Sequence, residues 1–213
     1  MELALIGATG FIGSAILQEA LHRGHQITAI VRHPEELPQH PNLIVQKGDV
    51  RDETQVPALV MGHDAVISSY SPGRDVENIY EQHIASYRNI IKGVKAAGVK
   101  RLLVVGGAGS LEVSPGVQLV DTPEFPEQWK AGSLAGREVL YLLREETELD
   151  WTYLSPSIMI EPGERTGQFR LGTDQILRDD QGESHISVED YAVAMVDELE
   201  DPQHVRQRFT VGY

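Results

Sequence analysis

The chain has no cysteine among its 213 residues. Disulfides, thiolate metal sites and cysteine nucleophiles are therefore excluded. No apolar stretch approaches the ~20 residues that span a bilayer, and the amino-terminal stretch lacks the basic flank, apolar core and small-residue cleavage site of a secretion signal. These absences lead us to expect a soluble, cytoplasmic protein. Positive charge is scarce as well: 18 Lys and Arg stand against 32 Asp and Glu, a net charge of −14. That balance opposes binding to nucleic acid or to anionic membranes, both of which require a positive surface. The histidines are scattered, and His22 and His25 sit at a helix end without a third ligand, so no metal site is expected. With 41% hydrophobic residues the chain can bury a full core, and one domain over residues 1–213 is the expectation. An anionic ligand would have to be held by local donors against the overall field, which makes individual arginines worth following.

What is present starts with Gly7-Ala8-Thr9-Gly10-Phe11-Ile12-Gly13, directly after the apolar run Leu3-Ala4-Leu5-Ile6. This is a G-x-x-G-x-x-G turn leaving a strand and opening a helix. Glycine at such a corner lets the chain turn sharply and lets a pyrophosphate approach without meeting a Cβ. The N–H groups and positive dipole end of the next helix then face the phosphates. A glycine triplet alone is a weak signal, but its place between a β-rich run and an amphipathic helix is the context the motif requires.

Short β-type runs at 2–6, 26–31, 43–46, 64–69, 100–106 and 151–155 alternate with helix-period segments near 12–23, 54–61, 76–97 and 128–146. That alternation predicts an α/β fold, a doubly wound parallel sheet of Rossmann type. In the third helix Val76, Ile79, Tyr80, Ile84, Tyr87, Ile90, Ile91 and Val94 recur at three- and four-residue steps and make one apolar face. Gly24 and Gly98 stand where a helix end favours a left-handed residue, and Pro57 falls in a first helical turn. After residue 155 the prolines and glycines predict a loop and a short hairpin around Thr166–Leu171. Ser187 reads as the N-cap of a helix running to about Glu200, with Asp190 returning a bond, and Gln207–Val211 as a final strand. The tail is too short for its own core and is expected to form a small substrate-side lobe.

In such a fold ligands lie across the carboxyl ends of the strands. The second strand ends at Arg32, where an acidic residue would favour NAD. A planar guanidinium there suits a 2′-phosphate, so NADP is favoured, with NAD the alternative. A solvated arginine paired with Glu35 or Glu36 is the competing reading. Gly48-Asp49-Val50 closes the third strand, and Asp49 is read either as the partner of an adenine amino group or as a local cap. Ser68-Ser69-Tyr70 closes the fourth strand and Gly106-Gly107-Ala108-Gly109-Ser110 the fifth. Four small residues at 106–109 suggest a flat ligand pressed against backbone, or else a flexible turn.

These motifs, with VVGGAGSLEV at 104–113, EPGERTGQFRLGTDQIL at 161–177 and HISVEDYAVAMVDELE at 185–200, resemble the atypical short-chain dehydrogenase/reductases with a lone NAD(P)-binding domain. The likeness is to the NADH-flavin reductase group, which is similar in turn to biliverdin reductase B and the NmrA-like proteins. It covers nearly the whole chain. The resemblance implies a nicotinamide site built by the 68–70, 106–110 and 154–157 segments, which adds Pro156 and Ser157, and a shallow apolar pocket for an aromatic acceptor. It also makes a monomer or weak homodimer plausible.

One departure matters. Typical short-chain dehydrogenases use a Tyr-x-x-x-Lys pair, yet none of Lys47, Lys92, Lys95, Lys100 or Lys130 has a tyrosine four residues before it. This argues against oxidation of a simple alcohol, but not against hydride transfer to a flavin, quinone or other conjugated ring, where the acceptor delocalises the incoming charge. Ser110 and Tyr70 are the polar candidates beside a hydride path; each has a bland alternative, a turn cap and a stacking ring. Lys130 is read more readily as a surface lysine than as a cofactor contact, and Arg165 and Arg170 as surface charge more readily than as greeters of an anionic acceptor. Gly132-Ser133-Leu134-Ala135-Gly136 misses the spacing and context of a hydrolase elbow. The resulting expectation is a NADPH-dependent reductase of a planar acceptor. The alternative is a non-catalytic NADP(H)-binding redox sensor.

Overall fold

Successive side chains of β1 (Glu2–Ile6) point to opposite faces, and both faces are apolar: Leu3 and Leu5 enter one core, Ala4 and Ile6 another. A strand buried on both sides needs cover on both sides. The computed structural model, which describes residues 1–73 and 76–213, supplies that cover. The remaining strands are β2 (Gln26–Val31), β3 (Leu43–Lys47), β4 (Ala65–Ser68), β5 (Arg101–Val105), β6 (Glu112–Ser114), β7 (Val117–Gln118), β8 (Asp150–Ser155), β9 (Met159–Glu161), β10 (Arg170–Gly172), β11 (His185–Ser187) and β12 (Gln207–Gly212). Eight of them form one sheet in the order β3-β2-β1-β4-β5-β8-β12-β10, parallel except for β10. It is a Rossmann-like α/β sheet, as the alternating pattern predicts.

The helices are α1 (Phe11–His22), α2 (Val56–Val60), α3 (Ile79–Ala96), α4 (Glu127–Glu145) and α5 (Val188–Glu200). α1 and α5 pack together over one face, around Ile16, Leu17, Tyr191 and Met195. α2, α3 and α4 cover the other, around Val56, Tyr87, Ile90 and Leu140. The expected strands and helices lie within a few residues of their sequence positions. Gly24 and Gly98 adopt φ +80° and +76°, where a Cβ would be strained.

Two local expectations are corrected. No hairpin forms at 166–171; β10 pairs antiparallel with β12, Leu171 opposite Val211. The segment before it is tied to α5 instead, the Gly167 N–H donating to the Asp190 carboxylate at 2.8 Å and the Thr166 hydroxyl donating to the same group. That also alters the predicted cap. Ser187 Oγ accepts from the Asp190 N–H at 3.0 Å as expected, but the Asp190 carboxylate is occupied by Thr166, Gly167 and the Tyr213 hydroxyl and does not return to the helix start.

Because β2 and β4 flank β1 in parallel, the chain departs in opposite directions on either side of it. The reversal opens a crevice between the carboxyl ends of β1 and β4, the place where such sheets bind ligands.

Candidate functional site

The corner Gly7–Gly13 is shaped by three glycines with three different reasons. Gly7 has φ +83°, and a Cβ there would lie 2.6 Å from the Ser69 carbonyl oxygen. At Gly13 a Cβ would lie 2.0 Å from the Gly7 carbonyl oxygen, so this glycine lets α1 pack against the turn. Gly10 differs: the nearest atom to its Cβ position is 3.4 Å away, an ordinary contact. The protein itself does not need a glycine at Gly10; a ligand approaching the backbone would. Gly10 is also the N-cap of α1 in an extended conformation, with no side chain capping the helix start. The first-turn N–H groups are thus left for an anion. Thr9, Gly10 and Phe11 are exposed and Ile12 partly so. Uncapped donors and an open glycine fit a dinucleotide pyrophosphate.

From this corner the crevice runs two ways. Toward β2 and β3 lies a cavity of about 210 Å³ bordered by Gly7, Gly10, Arg32, Asp49, Val50 and Tyr70. Arg32 is exposed and makes no hydrogen bond or ion pair with another described residue; Glu35 faces His33 instead, at 3.4 Å. The Asp49 carboxylate is gripped by Arg51, whose Nε lies 3.0 Å from each oxygen. That bond, with the nearby charge of Arg32, holds Asp49 below the usual carboxylate range. Asp49 is therefore a bridge between crevice and Arg51. Arg51 went unnoticed in the sequence because its role depends on a turn that folds it back over Asp49, where the local Arg51 N–H also donates to Oδ1.

Toward α3 and α4 lies a second cavity of about 320 Å³, bordered by Phe11, Ile12, Ser69, Tyr70, His83 and Gly107 among others. It adjoins a third, of about 470 Å³, bordered by Ile79, His83, Gly107, Trp129, Gly132 and Gly136. Gly107 faces open space, with nothing within 4 Å of its Cβ position. Its neighbours are glycines for internal reasons: a Cβ on Gly106 would lie 2.2 Å from the Tyr153 ring, and one on Gly109 2.8 Å from Ser133 Cβ. The expectation that all of 106–109 is pressed by a ligand narrows to Gly107. Tyr153, fully buried and pushed up to about 12 by desolvation, accepts from the Gly107 N–H at 3.2 Å and donates to the Gly136 carbonyl at 2.9 Å. It fastens the β5 tip to α4 across the crevice floor.

Several expected site residues lie elsewhere. Residues 108–110 wind into a single 3-10 turn that buries Gly109 and Ser110. Ser110 Oγ is 3.4 Å from an Arg208 nitrogen, and the residue is buried and lines none of these cavities. Ser68 is sealed in the core, where its hydroxyl meets that of Tyr87 at 3.3 Å. Ser157 is buried with its hydroxyl donating to the Val211 carbonyl at 2.8 Å, and Pro156 is buried beside it. Ala108 is partly buried in the turn. Ser69 and Tyr70 do border the crevice, Tyr70 with its hydroxyl 3.0 Å from Ser86 Oγ. Lys130 pairs loosely with Glu127 at 3.8 Å, a surface contact. Arg165 is bound by Glu19 at 2.6 Å and Arg170 by backbone carbonyls of Arg178 and Tyr213, so neither is left to greet an acceptor.

His83 was missed. Its ring lies 5.0 Å from that of Tyr87 and 6.2 Å from that of Tyr70, and desolvation drives its pKa down to about 4, so the imidazole is neutral at neutral pH. The signal was in the sequence: His83 falls in the same helical stripe as Tyr80 and Tyr87 and is its one imidazole. Among the described residues there is no cluster of side chains able to hold a metal, and no helix is long and apolar enough to cross a membrane.

A family model for NAD(P)H-binding proteins matches residues 7–202. YwnB of Bacillus subtilis is 39% identical over 99% of this chain and 98% of its own. A solved "putative epimerase" from Bacteroides thetaiotaomicron is 50% identical, with TM-score 0.93 over 100% of this chain and 96% of that one. A solved "putative NADH-flavin reductase" from Streptococcus pneumoniae is 36% identical, with TM-score 0.86 over 100% and 99%. The fold is common to both structures; the activities in their names differ.

Proposed function

The chain belongs to the NAD(P)H-binding family, and on that premise we propose that it is a NADPH-dependent reductase of planar, conjugated acceptors such as flavins or quinones. The observation that carries this reading is the junction of two cavities at Gly107, Gly132, Gly136 and His83, one leading from the glycine corner and one opening past Trp129 to solvent. Both are floored by glycines, which leaves room for a flat ring to lie over another flat ring. The absence of a Tyr-x-x-x-Lys pair supports the same reading, because reduction of a conjugated ring needs positioning more than an acid at a carbonyl oxygen.

The roles follow from chemistry. The helix start at Gly10–Gly13 would hold the pyrophosphate, and Arg32, at the rim of the adenosine-side cavity, would hold a 2′-phosphate. When bound, the cofactor supplies a hydride. Reduction of a ring by that hydride would also require one proton, which water reaching the outer cavity could supply. The chain's own work is to keep the two rings stacked and to exclude bulk water with Ile12, Tyr70 and Trp129.

The test is NADPH oxidation followed at 340 nm with FMN, riboflavin and menadione as acceptors. Turnover with at least one is expected. Tight NADP(H) binding with no turnover across the panel would overturn the reductase reading and favour the sensor.

A further inference from the structure

His83 is the one ionisable side chain among the described residues bordering the outer cavity, and it borders the inner cavity as well. It projects from the inner stripe of α3, one turn before the fully buried Tyr87. No described residue hydrogen-bonds to either ring nitrogen: its neighbours Tyr70 and Tyr87 approach as rings, and their hydroxyls are engaged with Ser86 and Ser68. Nor is either nitrogen sealed from solvent without a partner; among the described residues Arg101 Nε alone is. With neither nitrogen bonded by a described residue and the residue bordering both cavities, the ring is available to a ligand there. Structural histidines in cores are fixed by a hydrogen bond that selects one tautomer. Among the described residues this one is held by ring packing alone, and it borders the place where two chambers meet.

We propose that His83 receives the acceptor ring, its imidazole forming a hydrogen bond with a carbonyl-bearing planar heterocycle that enters past Trp129. The proposal rests on the reading of the crevice as an acceptor site, and it names the chemistry of that acceptor. A neutral imidazole carries one N–H donor and one bare nitrogen acceptor. The two nitrogens point away from each other, so an acceptor ring engages one of them at a time: the pyrimidine edge of a flavin, with carbonyls and an N–H, can pair with whichever nitrogen it meets, whereas a quinone carbonyl can pair with the N–H alone. The depressed pKa keeps the ring in this dual state throughout the neutral range. Flavins are accordingly expected to bind more tightly than quinones of equal area, and an apolar ring without a carbonyl to bind weakly.

The experiment uses the intact protein saturated with NADP+, with riboflavin and menadione titrated calorimetrically, alongside steady-state turnover. His83→Phe keeps a ring in the packed position and removes both hydrogen-bonding atoms; His83→Gln restores a donor and an acceptor. The Phe variant is expected to raise the riboflavin Kd and KM at least tenfold and menadione less, with NADP+ affinity within twofold of wild type. The Gln variant is expected to recover most of the loss. Wild-type protein that binds riboflavin but does not turn over would sink the reductase reading while leaving this proposal standing. Equal riboflavin affinity in all three proteins would overturn it, as would failure of riboflavin to bind wild-type protein at all. A loss in Phe that Gln does not relieve would overturn it too, since that marks a packing role.

Discussion

At the carboxyl edge of the sheet the chain presents backbone and few side chains: an uncapped helix start, Gly10 with only an ordinary contact at its Cβ position, Gly107 facing open space, and an imidazole that no described residue hydrogen-bonds. Behind α1, residues 156–213 present the opposite. Arg165 is bound to Glu19, Arg208 to Asp174, and Asp190 collects Thr166, Gly167 and Tyr213. Both regions contain the residue types that sequence reasoning treats as functional. The lobe has used its polar groups on itself; in the crevice Asp49 and Tyr70 are engaged, but the helix start, Arg32 and His83 have no hydrogen-bonding side chain among the described residues. Recognition capacity depends on what is left unsatisfied once the chain has folded, because a buried polar group without a partner costs free energy that a ligand can relieve.

The sharpest way to break this comparison uses two glycines of one corner. Gly13→Ala places a methyl 2.0 Å from a carbonyl oxygen that cannot move without unseating the turn, and should cost about 4 kcal/mol or more, seen as a large drop in Tm or no folded protein. Gly10→Val meets no such obstacle. It should leave Tm within a few degrees of wild type and abolish NADP(H) binding by calorimetry. If both variants bind cofactor, or both unfold, the distinction between a packing glycine and a ligand-facing glycine fails.

A smaller effect is expected in the lobe. Asp190→Ala removes the acceptor for two hydroxyls and one backbone N–H, a loss on the order of 3 kcal/mol by chemical denaturation, with cofactor affinity little changed. Cofactor binding that falls in step with stability would mean that lobe and crevice are not separable. Smaller again is Arg32→Ala, which should weaken NADPH by roughly 1.5–3 kcal/mol and NADH by much less. Equal weakening of both would remove Arg32 from 2′-phosphate recognition and leave Arg51 the cation at that rim.

The sequence made the frame legible because the sheet is buried on both faces and each strand is flanked by glycine, proline or helix periodicity. The glycine corner was legible because its function depends on backbone and spacing. Side-chain roles were less so. Ser110 and Ser157 looked like site residues because they end strands, but whether a hydroxyl at a strand end turns toward the crevice or back into the core depends on distant partners, Arg208 on β12 for one and the Val211 carbonyl for the other. Arg165 and Arg170 were ambiguous for the same reason: their partners, Glu19 and the Tyr213 carbonyl, are far away in sequence. The hairpin at 166–171 failed because Asp190 captures that segment before it can pair with itself.

The smallest effect sharpens the comparison through pH. Glu19, paired in the lobe, is pulled down to about 2, chiefly by its hydrogen bond from Arg165, so the fold favours its charged form. His83, unpaired in the crevice, is pushed down to about 4 by desolvation, so the fold favours its neutral form. Between its folded value and the ordinary value near 6.5, the unfolded chain binds a proton at His83 that the folded chain does not. Stability from this group is therefore complete above the unfolded value and is lost as pH falls through it. The expected loss is on the order of 1–2 kcal/mol between about pH 7 and pH 5. Glu19 adds nothing in that window, because its contribution is lost only as pH falls below about 4.5 toward its folded value near 2. Urea unfolding of wild type and His83→Phe at both pH values isolates the term, since the other histidines cancel in the difference. The variant should lose less stability on acidification than wild type. Parallel losses in the two proteins would mean that His83 is solvated or partnered, and the contrast between an unsatisfied crevice and a saturated lobe would lose its clearest titratable witness.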